Sequence, residues 1–434
     1  MSSRSRKLEI FSWCAYDFAN SAYPTLIVTV AYSIYFKKIV AGGGGSADFL
    51  WGLSLSTAMI ITSLIAPPLS VIADRSAIRK RLLLAFAAVC IAATLLLSTV
   101  GAGMIAWGMG LYIVATIGFE GSLVFYNAFL PDIAAPAHRG RISGWGWGVG
   151  YLGGLLCLFL VKPLLAGGFS PETLPLFRAS FAVVAAFYAI FTLPLFFWLG
   201  ESRPPAWPQA YVDVRLSGGR HSALLGAMAA FRSLWKTLRA LHRREGALRF
   251  LLAFFLYNDG IVTVISFSSI YAVTTLGFSM GETLELFIAV QLSAGAGAFA
   301  LGYLSDWWGE RKTILLTLAN WCLVVVMAYF TETKGVFLMV SILAGLSLGS
   351  CQSASRSLMA RYIPPGGTTQ TYAFYGLCGK MSSVLGPLTF GAVSAATGNQ
   401  RVAILSVLVF FVAGGALLWT APDVDDAKSD GVLP

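Results

Sequence analysis

The sequence predicts an all-α polytopic membrane protein, with twelve transmembrane helices arranged as two six-helix bundles. Three observations carry that expectation: an apolar excess, twelve hydrophobic runs of spanning length, and a repeat between the halves. Hydrophobic residues make up 57% of the chain and charged residues 12%, with a mean hydropathy of +0.74. Soluble domains sit near about 45–50% apolar and about 25% charged.

Crossing about 30 Å of hydrocarbon at about 1.5 Å per residue takes roughly 20 residues. Runs of that order occur near 10–36, 48–72, 82–101, 104–130, 143–165, 176–199, 248–276, 283–304, 313–331, 335–359, 371–396 and 401–420. The first follows a basic N-terminus, Arg4-Ser5-Arg6-Lys7, as a signal peptide would. It is long, however, and contains Asp17 and Asn20, so it reads as a retained signal-anchor helix. A charge facing lipid costs several kcal/mol, which places Asp17 toward a protein-lined or watery interior where ions, protons or solutes are handled. The structural alternative is a carboxylate near the helix start that snorkels to the surface or caps a neighbour.

An even number of spans puts both termini on one face, and the cations say which. Arg4, Arg6, Lys7, Arg75, Arg79, Lys80, Arg81, Arg139, Arg141, Arg311, Lys312, Arg356, Arg361 and the basic stretch from Arg203 to Arg249 all fall on the terminal side. Only Lys37, Lys38, Lys162, Arg178, Lys334 and Arg401 fall on the other. That asymmetry predicts cytoplasmic termini, and it assigns the surplus of Lys+Arg (30) over Asp+Glu (20) to topology, with no nucleic-acid partner.

The one long connection divides the chain into an N-terminal bundle (1–199), a linker (200–247), a C-terminal bundle (248–420) and a tail (421–434). Within the linker, Leu224, Leu225, Met228, Phe231, Leu234, Trp235, Leu238 and Leu241 share a face opposite Arg232, Lys236, Arg239 and Arg243. This spacing predicts an amphipathic helix lying at the cytoplasmic interface. The halves repeat: Asp74 and Asp306 lie 232 residues apart, and Pro131 and Pro364 lie 233 apart. Asp17 and Asp259 break this register, and Ala41-Gly42-Gly43-Gly44-Gly45 supplies the extra length. Six-plus-six repeated spans are a transporter architecture, with the site between halves near midplane.

Several chemistries are disfavoured. The six cysteines fall in apolar runs with no CxxC pair and read as small buried thiols. His138, His221 and His242 lie in connecting stretches, which supports neither a metal site nor the base of a membrane-embedded hydrolase. The glycines from Gly144 to Gly154, with Gly295 and Gly297, precede no Lys-Ser or Lys-Thr pair. They read as surfaces for close helix approach, not as a phosphate loop.

Ser70-Val71-Ile72-Ala73-Asp74-Arg75-Ser76-Ala77-Ile78-Arg79-Lys80 and Gly302-Tyr303-Leu304-Ser305-Asp306-Trp307-Trp308-Gly309-Glu310-Arg311-Lys312 each follow the second span of their half. Both resemble the signature of the major facilitator superfamily: a Gly, three residues, Asp-Arg, a Gly two further on, then Arg-Arg or Arg-Lys. The first copy has Ser70 and Ala77 in place of the glycines, and the second has Trp307 in place of the arginine. More narrowly, the stretches Tyr16–Ala22, Phe125–Asp132, Tyr257–Gly260 and Ser355–Leu358 resemble the vacuole-effluxer branch, which comprises fungal autophagy-linked vacuolar proteins and bacterial relatives. The similarity spans the chain apart from the Gly-rich first loop and the two tails. It implies a major facilitator fold and a monomeric secondary transporter that is not an enzyme and needs no cofactor or metal. Amino-acid efflux is the role inferred for the fungal members.

In that fold, spans one, four, seven and eleven face the cavity, which makes the depth of their charges informative. Counted from the cytoplasmic helix ends, Asp17, Lys380, Glu120 and Asp259 form a layer roughly 11–17 Å deep at about 1.5 Å per residue. A lysine at that depth needs a carboxylate, and Glu120 is the favoured partner, with Asp17 and Asp259 as alternatives. A solute carboxylate competing for Lys380 would free a carboxylate to take a proton, coupling the two movements. The competing reading is a structural pair that fixes helix packing. Around the layer, Tyr16, Asn20, Tyr126, Asn127, Tyr257, Asn258 and Tyr375 supply polar tips and amides, with Trp145, Trp147 and Phe374 as apolar neighbours. Asp74 with Arg75 and Arg79, and Asp306 with Arg311, are candidate gating contacts at cytoplasmic helix ends.

The expected activity is alternating-access transport of a small organic solute, an amino acid among the candidates. The expected coupling ion is a proton, and the location is a bacterial plasma membrane with both termini inside. Alternatives are a sodium-coupled sugar transporter, a flippase for lipids or other amphiphiles, and a membrane receptor that no longer transports.

Overall fold

The computed structural model describes residues 3–76, 78–133, 139–200, 245–362, 375–376 and 378–421. Its fold is the twelve-helix, two-bundle architecture, and no strand occurs among the described residues. Spans two to six are Gly44–Ser76, Arg79–Leu96, Ile105–Ala128, Arg139–Leu165 and Leu174–Trp198. Spans seven to ten are Glu245–Thr275, Met280–Trp308, Glu310–Phe330 and Lys334–Tyr362. Among the described residues, nine helices are long and apolar enough to cross a membrane as they stand; the interrupted first and eleventh and the eighth are not among them.

The first span is longer than its apolar run. Helix Ser3–Asn20 passes into a π-helical stretch, Tyr23–Val30, then Ala31–Tyr35 and a second π stretch, Phe36–Val40. Pro24 explains the change, because its ring removes an N–H and crowds the carbonyl four residues back, and a wider turn accommodates both. Lys37 and Lys38 therefore lie in helix instead of the predicted loop, and Lys37 is buried. Gly42, Gly43 and Gly44 follow with φ of 73°, 87° and 79°, three consecutive left-handed residues that only glycine supplies cheaply. They fold the chain back so that the second span starts against the end of the first.

Inside the N-terminal half, the first span is held by hydroxyl pairs: Tyr16 with Tyr188 at 2.9 Å and Tyr23 with Thr116 at 2.8 Å. Its backbone meets the fifth span over the glycine face. A β-carbon at Gly153 would overlap the Phe18 carbonyl, and one at Gly154 would lie 2.8 Å from Thr25 Oγ1. In the C-terminal half, Gly297 faces the Leu346 carbonyl in the same way, whereas Gly295 faces open space. The large apolar side chains left outside, such as Phe197, Phe330 and Val409, point where lipid tails would lie.

The halves join mainly through the second and eleventh spans. Gly45, Gly52 and Gly391 bring the backbones together: a β-carbon at Gly52 would strike the Pro387 carbonyl, and one at Gly391 would sit 2.8 Å from the Phe49 α-carbon. Trp51 donates to the Ser266 carbonyl at 3.2 Å, Ser33 meets Ser269 at 3.1 Å, and Lys162 pairs with Glu285 at 3.1 Å. This seam occupies the distal side, opposite the chain ends. The predicted amphipathic linker helix and the tail after residue 421 lie outside the described residues.

Candidate functional site

The eleventh span is not the continuous helix its hydrophobic run predicts. Helix ends at Met381, residues Ser382–Val384 turn, and a second rod, Leu385–Thr397, continues to the distal face. The interruption follows from composition, since Gly379, Ser382, Ser383, Gly386 and Pro387 all weaken a helix. A break within a membrane exposes backbone groups that must find partners. Asn258 of the seventh span donates to Ser382 Oγ at 2.7 Å and to the Gly379 carbonyl at 3.3 Å, while Ser56 of the opposite half donates to the Val384 carbonyl at 2.9 Å. The next residue, Asp259, is fully buried, with its carboxylate against the backbone amides of Leu385 and Gly386. An anion at a helix N-terminus is favoured by the orphan amides and the helix dipole. No described side chain bonds to its oxygens.

Lys380, two residues before the break, crosses to the other half. Its ammonium lies 2.7 Å from Glu120 Oε2 and 2.9 Å from the Glu120 carbonyl, and the two side chains keep only 16% and 17% of their exposure. Three members of the expected charged layer thus collect around one structural feature. Lys380 bridges to Glu120 on one side of the break, and Asp259 caps its far side.

The remaining candidates divide by location. Asp17 lies against the fifth span, where β-carbons at Gly146 and Gly150 would sit 3.0 Å from its Oδ2 and 3.6 Å from its carboxyl carbon. Tyr16 and Tyr126 are buried within the N-terminal half. Tyr126 stacks on Trp13 with centroids 4.4 Å apart, and Tyr16 ends on Tyr188. Asn20 is buried, and its Nδ2 has no partner among the described residues. Tyr257 bonds Ser355 at 2.7 Å, Tyr375 stacks on Phe254 at 4.4 Å, and Asn127 is exposed beside the fourth span's end. Trp145 and Trp147 are exposed.

Of the gating candidates, Arg79 is buried and pairs with Asp132 at 3.0 Å, and Arg311 holds the Leu418 and Trp419 carbonyls that end the twelfth span. The side chains of Asp74, Arg75 and Asp306 lie outside the described residues. Sequence reasoning missed Ser382, Ser56 and the carbonyls of Gly379 and Val384. The Gly-Ser-Ser-Gly-Pro punctuation of residues 379–387 was the available signal.

Paired six-helix bundles with a charged pair between them, beside a broken helix, define a membrane transporter of the major facilitator type. A family model described as vacuole effluxer Atg22 like matches residues 49–431. The chain belongs to that family, whose members are transporters and not enzymes. It is 28% identical to the uncharacterized MFS-type transporter YxiO of Bacillus subtilis (strain 168), over 98% of this chain and 97% of that one. It is 26% identical to autophagy-related protein 22-1 of Penicillium rubens, over 92% of this chain and 81% of that one. Among solved structures, a D-xylose-proton symporter superposes with a TM-score of 0.72 at 14% identity, covering 96% and 99% of the two chains. A bacterial homologue of the human lysosomal transporter Spinster, in an inward-facing conformation, gives 0.69 at 15%, covering 97% and 98%.

Proposed function

We propose that the protein is a proton-coupled secondary transporter of a small organic solute bearing a carboxylate, with amino acids the leading class. It works by alternating access in a bacterial plasma membrane, as a monomer, with both termini in the cytoplasm. The observation that carries this reading is the Lys380–Glu120 bridge. It is a charge pair between the two moving halves, placed where the eleventh span is unwound, and it is the kind of contact a charged solute can replace.

A solute carboxylate on Lys380 would release Glu120, and a solute ammonium would find Glu120 or Asp17. A carboxylate left without its cation in a site of low dielectric favours the protonated form, which links solute binding to proton uptake. Asn20 offers its amide to the same solute, and Asn258, whose Nδ2 is held by Ser382 and Gly379, offers its Oδ1. The kinship with autophagy-related protein 22-1 supports the amino-acid reading, and the basic loops on the terminal side support the orientation.

The test is transport in proteoliposomes, using a mixed amino-acid panel with and without an imposed pH gradient. The parent protein should move one solute class only under the gradient, and Lys380→Ala and Glu120→Gln should both abolish that movement. Movement that follows a sodium gradient and ignores pH would overturn the coupling assignment; a panel that never moves would overturn the cargo.

A further inference from the structure

A second buried charge cluster lies on the distal side, away from the Lys380–Glu120 bridge, and takes no part in the reading above. The Lys37 ammonium sits 2.7 Å from Asp48 Oδ1, with Lys37 5% exposed and Asp48 fully buried. Both belong to the N-terminal half, and the Gly42–Gly44 turn brings them together. The other carboxylate oxygen faces the C-terminal half, where it accepts from Ser394 Oγ at 2.6 Å and from Gln400 Nε2 at 2.8 Å. Gln400 is itself fixed, because its Oε1 accepts from Thr274 and Thr275, each at 2.7 Å. One carboxylate thereby ties the end of the first span to the eleventh, the twelfth and, through Gln400, the seventh.

Removing an ion pair from water is costly and is repaid only when geometry is good and the remaining lone pairs are satisfied. Here Oδ2 finds its donors only while the halves touch. Lys37 stays with Asp48 if the halves part, but Oδ2 loses both of its donors and water must replace them. The cluster therefore discriminates between the closed and open forms of this face, unlike a pair buried inside one bundle.

We propose that Asp48 is the distal gate of the transport cycle: a positioning carboxylate, anchored by Lys37, that Ser394 and Gln400 engage when the face closes. The proposal rests on the alternating-access reading. It assigns to Lys37, Asp48, Ser394 and Gln400 the control of how long the distal side stays shut. A neutral amide at position 48 has one acceptor fewer and leaves Lys37 without its anion, so the closed form loses stability while the open, hydrated form loses little.

The experiment uses the full chain in lipid nanodiscs without solute, with native cysteines replaced and spin labels on Glu172→Cys and Glu332→Cys, exposed distal positions in opposite halves. Pulsed paramagnetic resonance reads the distance between them. Asp48→Asn and Gln400→Ala should each raise the long-distance population about tenfold, the scale of a lost bond to a charged acceptor, and Asp48→Glu should restore the parent distribution. Gln400→Ala keeps the ion pair intact, so it decides the matter if Asp48→Asn fails to fold. A Gly52→Trp wedge in the same seam serves as a control for movement. If the wedge lengthens the distance and the two gate variants do not, the gate assignment is overturned. If none of the three does, alternating access falls with it. A cargo error would leave all of these readings untouched.

Discussion

Asn258 holds the eleventh span at its break, donating at once to Ser382 Oγ at 2.7 Å and to the Gly379 carbonyl at 3.3 Å. The Gly379 carbonyl keeps the Ser382 hydroxyl as a donor at 2.7 Å, so losing Asn258 costs the net worth of a hydrogen bond, about 0.5–1.5 kcal/mol. Asn258→Ala should therefore destabilise the protein by about that amount, read as a fall in unfolding free energy in detergent. Asn258→Asp, which keeps the shape but loses the donors, should do no better. A variant as stable as the parent would show that the break supports itself.

The Lys380–Glu120 bridge makes a prediction of a different form. Removing either partner strands a charge in a site of low polarity, so Lys380→Met or Glu120→Gln alone should cost about 2–4 kcal/mol, below the fully buried range because some exposure remains. The double variant should be more stable than either single one. A double-mutant cycle by chemical denaturation measures this, and additive effects would show that the two side chains act independently.

Gly153 predicts a steric effect. The first span's Phe18 carbonyl occupies the place a β-carbon would take, so Gly153→Ala must push the first and fifth spans apart. Overpacking of this kind costs about 1–3 kcal/mol. Gly148→Ala, with nothing within 4 Å, is the matched control and should be neutral. Unfolding midpoints of the two variants, measured side by side, check the difference.

A pH effect is expected at the start of the eighth span. Ser279 and Glu282 form a reciprocal cap, with the Ser279 amide donating to Glu282 Oε2 at 2.7 Å and the Glu282 amide to Ser279 Oγ at 3.2 Å. The Lys334 ammonium bonds the same carboxylate at 2.7 Å and, first among the causes, holds its pKa down to about 2. A depressed carboxyl stabilises the fold above the ordinary Glu value of about 4.3, and that contribution fades as pH falls toward about 2. The unfolding-midpoint gap between the parent and Glu282→Gln should accordingly be constant near neutrality and narrow below about pH 4. A gap that widens on acidification would contradict the assignment.

The spans were legible because they rest on hydrophobic length. Shared depth brought three carboxylates within range of Lys380, and the favoured one, Glu120, is the one it meets. Other features needed the third dimension. Tyr16 and Tyr126 lie at plausible depths yet face into their own bundle, and helix rotation does not show in a count of residues. Counting through the eleventh span as a continuous helix hid its break, although the Gly and Ser residues around 382 marked it. Lys37 read as a loop charge because a span interrupted by Pro24 continues past its apolar run. Asp17 was placed in the charged layer by depth, and a count of residues does not show that it lies against the glycine face of the fifth span.

The break in the eleventh span also bears on how the protein is assembled during synthesis. The rod Leu385–Thr397 is 13 residues long, about 20 Å at the helical rise, too short to cross the hydrocarbon by itself. Of the carbonyls beside it, that of Gly379 is met by Ser382 of the same segment as well as by Asn258, whereas that of Val384 is met by Ser56 from the other half. This segment therefore cannot enter the bilayer as an independent, self-satisfied helix in the manner of the ninth or the twelfth. It becomes stable only against the already inserted second and seventh spans, so completion of the C-terminal half waits on the presence of the N-terminal one.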